Sequence, residues 1–307
     1  MCRALLYLGS PVPLDTLLHR PDSALVRQSY MPKMLHMMNL AGFGLRAWDK
    51  ASRDPGQPWL YASTDLPIFD RNLESLARKV EASAVLAHVR GVSYSTTADV
   101  TPANVHPFQF PGMPLAMAHN GDLAGFAELK PALAAHVPAS IARHVRGTTD
   151  SEWIYALVLS GLPDPTRRPE GGELPDAIER ALGIIRRERE RLGIASSSSV
   201  NLFACDGAQL AAVRYCFDFG RYATEDPDRV HEANLHYLSL WYTLGRDYGL
   251  HGGEWRMTGD AAQADSILVA SEPLTKDVAS WVELPEYGLL TAGLDRGRPT
   301  VAVRYLD

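Results

Sequence analysis

This chain predicts an α+β fold on three observations: strand-like segments crowd both ends, helical patterns sit in two blocks between them, and a hairpin signal follows the second block. Residues 2–8 read as a strand closed by Gly9-Ser10-Pro11. Residues 70–82 place Leu73, Leu76, Ala77 and Val80 on one face of an amphipathic helix. Residues 84–89 and 115–118 are short continuous apolar runs, as expected of strands buried on both sides, and each ends in polar residues that a strand could deliver to a site. Thr149-Asp150-Ser151-Glu152 has the Thr-x-x-Glu pattern of a capping box, which would open a helix over residues 153–159 with Asp150 in its first turn. A Pro/Gly/charge-rich loop at residues 161–172, a highly charged helix at 175–192 and a serine run at 196–199 read together as an exposed insertion over 161–199. Residues 200–204 and 209–215 flank Cys205-Asp206-Gly207-Ala208 as the arms of a hairpin. Further strands are expected at 266–270, 278–283 and 300–305, with no internal repeat and a single domain over residues 2–307.

Composition narrows the function classes. The chain has 307 residues, 46% of them apolar, enough for a large core. Its net charge of −6 leaves no basic footprint for nucleic acid or an anionic membrane surface. No apolar run approaches membrane-spanning length, and the amino terminus lacks a signal-peptide pattern, so a cytoplasmic location is expected. Cys2, Cys205 and Cys216 are too few for a disulfide framework and lack zinc spacing; Cys205 and Cys216 read as buried small apolar groups. His231 and His236 are five residues apart, which on a helix points them about 140° from each other, and His19, His36 and His136 have no partner pattern. Gly42-Phe43-Gly44 lacks the surroundings of a phosphate loop. No metal or cofactor is expected.

The polar residues with chemical potential are few. Removal of Met1 would leave Cys2 carrying a thiol and a free α-amine on one residue, a nucleophile with its own base, since the amine has a reference pKa of about 7.7–8.0. Arg90, in His88-Val89-Arg90 at the end of a buried run, needs either a structural ion pair or an anionic ligand. Asn120-Gly121 is ordinary turn chemistry in isolation, yet the pair can also direct a side-chain amide and a backbone N–H to one point, as an oxyanion hole requires. Asp150, taken alone, can be read as a favourable charge at a helix start.

In chain order, Cys2, His88-Val89-Arg90, Asn104-Val105-His106-Pro107-Phe108, His119-Asn120-Gly121 and Thr149-Asp150-Ser151-Glu152 resemble the class II glutamine amidotransferases, members of the N-terminal nucleophile hydrolases. Arg27-Gln28-Ser29-Tyr30, the Asp206-Gly207 hairpin with Arg214-Tyr215, Ser239-Leu240-Trp241-Tyr242 and Val269-Ala270-Ser271-Glu272-Pro273-Leu274 extend the resemblance to stand-alone members, those of ergothioneine synthesis and of fungal glutathione degradation. The resemblance implies a four-layer αββα sandwich with mostly antiparallel sheets. It implies Cys2 as nucleophile with its α-amine as base, Asn120 and Gly121 as oxyanion donors, Arg90 on a substrate α-carboxylate, Asp150 on an α-ammonium, and His106 lining the glutamyl pocket. The implied reaction is hydrolysis of a γ-glutamyl amide, a small-molecule substrate, through a cysteine thioester. A glutaminase subunit feeding a separate synthase and a catalytically silent subunit of a complex are the alternatives, and a homo-oligomer or a partner enzyme subunit stays open. Two segments depart from the family pattern: Gly91-Val92-Ser93 follows Arg90, and Ala41-Gly42-Phe43-Gly44 carries alanine where many relatives carry an acid.

Overall fold

A computed structural model describes residues 2–34, 38–92, 99–220, 239–295 and 298–306; the His231/His236 pair, His36 and Ser93 lie outside them. In chain order the first strands are β1 (Arg3–Pro13), β2 (Phe43–Trp48), β3 (Trp59–Ser63), β4 (Glu81–Val89), β5 (Ala116–Gly121), β6 (Ser198–Cys205), β7 (Gln209–Val213) and β8 (Cys216–Phe217). They are followed by β9 (Trp241–Gly245), β10 (Asp247–His251), β11 (Glu254–Thr258), β12 (Ser266–Ala270), β13 (Val282–Glu283), β14 (Gly288–Asp295) and β15 (Arg298–Tyr305). The helices are α1 (Asp15–Leu18), α2 (Leu25–Gln28), α3 (Arg71–Ala77), α4 (Phe126–Ala134), α5 (Ala139–Ala142), α6 (Asp150–Gly161) and α7 (Glu173–Arg191).

Two antiparallel sheets stack face to face. The seven-stranded sheet runs β13-β9-β12-β1-β4-β2-β3, and the second runs β15-β14-β7-β6-β5 with β8 also paired to β6. In β1, Ala4, Leu6 and Leu8 face the space between the sheets, meeting Ala118, Phe203 and Leu290 of the second sheet. Leu5 and Tyr7 face outward into a second apolar cluster with Leu17, Leu25 and Leu73 of α1, α2 and α3 and with Trp255 of the β10–β11 hairpin. A strand sends alternate side chains to opposite faces, so a continuous apolar run is what a strand covered on both sides demands. On the far side, α4 to α7 cover the second sheet, with Leu129, Ile154, Ile178 and Ile185 packed against Met117, Leu202 and Val213. The layers are therefore αββα, as the resemblance implied. Among the described residues, no helix is long and apolar enough to cross a membrane.

The two sheets are joined at β1 and its neighbours. β1 is bonded on both flanks, with Arg3 opposite Val89 and Leu5 opposite Ala270, so the residue before it, Cys2, is delivered to the rim where β4 and β12 both end. The hairpin β6–β7 forms as expected. Asp206 accepts from the amides of Ala208 and Gln209 at 2.8 and 2.9 Å, while Gly207 has φ +87° and a Cβ there would strike the Trp48 ring.

Several expectations need correction. β1 does not stop at Gly9-Ser10-Pro11 but continues to Pro13 through a register shift after Leu8, which the tyrosine hydroxyl of Tyr7 secures by donating to the Ser10 carbonyl. The helix read over 70–82 ends at Ala77, because β4 takes the chain from Glu81; Leu76 is 40% exposed instead of joining the apolar face. Asp70 is its N-cap, accepting from the amides of Asn72 and Leu73. The Thr149–Glu152 capping box does not form: Glu152 reaches further back and accepts from the amides of Arg146 and Gly147 at 2.9 and 2.6 Å. Residues 278–283 split into a 3₁₀ turn at Val278–Ser280 and the two-residue β13. The helix expected within an exposed insertion is α7, whose Leu174, Ile178, Leu182 and Ile185 are buried against the second sheet and α6; only its charged face is in water. Replacing Ile185 with alanine should therefore lower unfolding free energy by about 2–5 kcal/mol in urea titration, whereas a detachable insertion would lose well under about 1 kcal/mol.

Candidate active site

One rim of the sandwich gathers the polar ends of otherwise apolar strands. Cys2 enters from β1 and is buried. Its Sγ accepts a hydrogen bond from the Gly91 amide at 3.4 Å and lies 3.6 Å from the Gly91 carbonyl oxygen. Arg90, just beyond β4, has both backbone groups fixed: its amide donates to Gly42 O and its carbonyl accepts from Ala41 N, each at 2.8 Å. The segment that departs from the family pattern at Ala41 thus extends the β2–β4 ladder by one step and holds Arg90 in place. Gly42 is required there, at φ +117° with the Ser63 carbonyl 2.8 Å from any Cβ. The Arg90 guanidinium donates to Asp99 O at 3.0 Å; burial pulls its pKa down, while Cys2, Asp150 and Asp99 favour its charge.

Asp150 is the first residue of α6. Its Oδ2 accepts from Leu123 N at 2.6 Å and its Oδ1 from Ser151 N at 2.7 Å, which fixes the carboxylate where the chain leaves β5. Asn120 and Gly121 close β5, opposite Asn201 and Val200 of β6. Gly121 has φ +136°, and a Cβ on it would lie 1.8 Å from Ser199 O, so β6 leaves room for glycine alone. The Asn120 Nδ2 donates to Ser271 Oγ at 2.6 Å. His119, beside it, bridges Ser151 Oγ at 2.9 Å and Ser199 O at 3.4 Å.

The structure therefore brings Cys2, Arg90, Asp150, Asn120 and Gly121 to one end of the sandwich, although they come from both sheets and from α6. His106 stands apart. Its ring is enclosed between His88 and Phe108, with centroids 4.3 and 4.5 Å away, and its carbonyl presses on Gly44, where a Cβ would come within 2.3 Å of the oxygen. Burial, then the neighbouring histidines, holds the His106 imidazole well below its ordinary pKa; burial and Arg90 hold His88 down at about 3. Both rings are buried and neutral, with Arg90 and His119 among their electrostatic neighbours. A separate cavity of about 490 Å³ beside Arg189, Tyr215, Cys216 and Tyr287 contains none of the rim residues.

Three contributors were not assigned roles from sequence: Gly91, Ser271 and Glu272. Ser271 accepts from Asn120 and from Ala4 N. Glu272, 1% exposed, pairs with Arg3 at 3.4 Å and accepts from Ser23 Oγ and from the amides of Lys33 and Met34. The signal that would have found them is the one that found Arg90 and Asn120: an apolar strand, here β12, ending abruptly in polar residues.

The fold is that of the N-terminal nucleophile hydrolases. The glutamine aminotransferase class-II domain protein from Silicibacter pomeroyi superposes with a TM-score of 0.61 over 99% of both chains at 21% identity. The glutamine phosphoribosylpyrophosphate amidotransferase of Bacillus subtilis gives 0.55 at 17% identity over all of this chain and 49% of its own. The sequence profile of the class-II glutamine amidotransferases matches residues 64–230, more than half of the chain, which therefore belongs to that family. Saccharomyces cerevisiae has a similar protein, described as probable glutamine amidotransferase DUG3, 29% identical over 311 aligned positions covering 95% of this chain and 81% of the yeast one.

Two predictions concern the site's scaffold. Gly121→Ala should destabilise the fold by about 1–3 kcal/mol through its positive φ and the clash with Ser199 O, measurable as a lowered urea midpoint. His88 and His106 have lowered pKa values in the folded state and about 6.5 when unfolded, so between those limits the unfolded chain binds protons that the folded chain does not. Their contribution is constant above about pH 6.5 and is lost as pH falls below it, for His88 until about 3, by up to about 1.4 kcal/mol per pH unit for each ring. Urea midpoints at pH 7.5, 6 and 5 should fall in that order for the native chain and less steeply for His88→Phe.

Proposed function

We propose that this protein hydrolyses a γ-glutamyl amide through a thioester on Cys2, releasing glutamate and an amine. The observation that carries the reading is the charge arrangement beside the thiol: the Arg90 guanidinium is electrostatically coupled to both Cys2 and Asp150, so one cation neighbours the thiol and an anion. An α-amino acid group presents the complementary pair, a carboxylate for the planar guanidinium and an ammonium for the aspartate. Asp150 already accepts two backbone N–H groups and the Ser151 hydroxyl at 3.2 Å, but a carboxylate has about four lone-pair sites and keeps one for an ammonium.

After loss of Met1, the α-amine of Cys2 takes the thiol proton and the sulfur attacks the δ-carbonyl. The oxyanion is met by the free Nδ2–H of Asn120 and the Gly121 N–H. Collapse expels the amine, which receives its proton from the α-ammonium, and water then cleaves the thioester to glutamate. His106 acts in this scheme through packing. A glutaminase that works with a partner subunit is the second reading, favoured by Phe69, 77% exposed next to Ile68 on the turn after edge strand β3.

Glutamate release should be measured with mass-verified protein lacking Met1 on glutamine, glutathione, γ-glutamyl alkylamines and γ-glutamyl thioether conjugates. Release from at least one substrate, abolished in Cys2→Ala, is expected; release from glutamine alone favours the partner-dependent glutaminase, and release from none sinks the hydrolase. Asn120→Ala should lower kcat by about 10²–10³-fold, the loss of one oxyanion donor.

A further inference from the structure

Asn120 and Cys2 belong to different sheets, and Ser271 is the residue that joins them. Ser271 follows β12, the neighbour of β1, and is bonded to Ala4 three times: its amide donates to Ala4 O at 3.0 Å, its Oγ accepts from Ala4 N at 3.0 Å, and its hydroxyl donates to Ala4 O at 3.4 Å. Ala4 is two residues from Cys2 on the same strand. Across the gap between the sheets, the same Oγ accepts from Asn120 Nδ2 at 2.6 Å. The Ser271 carbonyl accepts from Ser239 Oγ at 2.8 Å, and the Ser239 carbonyl lies 3.4 Å from Nδ2 of Asn201, the residue opposite Asn120 in β6. A polar loop thus starts and ends on the β5–β6 pair and passes through Ser271.

From this we infer that Ser271 is the positioning residue of the oxyanion hole: it takes one of the two Nδ2 hydrogens of Asn120 and thereby aims the other at the carbonyl that Cys2 attacks. This rests on the reading of Cys2 as nucleophile and Asn120 as oxyanion donor. Among the described residues no donor lies at normal hydrogen-bond distance from Asn120 Oδ1, which has the His88 ring as a neighbour, so the Ser271 hydroxyl is the short contact that fixes the amide. A side-chain amide freed of that bond rotates about a broad χ2 well, and a displacement of about 1 Å at a catalytic group costs about 10²-fold in rate.

The test is a double-mutant cycle of Ser271→Ala and Asn120→Ala, with Ser271→Thr as the conservative variant, read by glutamate release and by the alkylation rate of Cys2 with iodoacetamide. Ser271→Ala should lower kcat about 10–100-fold with KM within about twofold, Ser271→Thr should retain most of the rate, and the double variant should be no slower than Asn120→Ala alone. Cys2 alkylation should be unchanged in Ser271→Ala. Alkylation falling in parallel with kcat would show that Ser271 merely places β1, and multiplicative losses in the double variant would show independence from Asn120; either overturns the inference while leaving the hydrolase reading intact. A native chain that releases no glutamate overturns both. If Ser271→Ala does not fold, the isosteric pair Ser271→Thr and Ser271→Val makes the same comparison.

Discussion

The pairing of β1 on both edges and its burial on both faces constrain everything at the rim. With Arg3 locked opposite Val89 and Leu5 opposite Ala270, a slip of one residue would turn Leu6 and Leu8 out of the inter-sheet core and rotate Cys2 away from Gly91. The thiol is therefore located by hydrophobic register, and no loop has to order itself to place it. The same strand explains why Arg90 and Ser271 are where they are, since each follows the last residue of a strand bonded directly to β1.

Electrostatics add to this placement. Arg3 sets its Nη1 on the Cys2 carbonyl at 3.1 Å, and the charges of both Arg3 and Arg90 are coupled to Cys2. Burial works against the charge of Arg3, and Glu272 supports it, so a buried ion pair stands one residue from Cys2. Such pairs contribute little net stability but are strongly destabilising when one partner is lost. Here the carboxylate also holds the amides of Lys33 and Met34, which connects the start of β1 to the segment after α2.

Legibility from sequence followed burial. The runs at 84–89, 115–118 and 266–270 could be read because strands covered on both faces contain little but apolar residues, and Arg90 and Asn120 stood out because those runs end in groups that cannot be buried unpartnered. Elements that violate local rules were not legible. α4 contains Pro131 in its interior and starts after Gly125 in the left-handed region, both of which read as loop signals. β2 is interrupted by Gly44, whose reason is the His106 carbonyl sixty-two positions later, and β8 and β13 are two residues long. The tie between Asn120 and Ser271 spans 151 positions, so no local pattern could announce it. His106 had the right motif context, yet its ring is occupied by His88 and Phe108.

Arg90 is rooted in one sheet and Asp150 in the helical layer that covers the other, so the span between them is set by the thickness of the stacked layers. Face-to-face sheets stand about 10 Å apart, a spacing governed by the side chains that fill the gap. Residues such as Phe203 and Leu6 thereby act as a gauge block: their bulk sets how far the guanidinium stands from the carboxylate. That separation is then inherited from core volume, and a drift in interior packing would be felt first as a change in the spacing of these two charges.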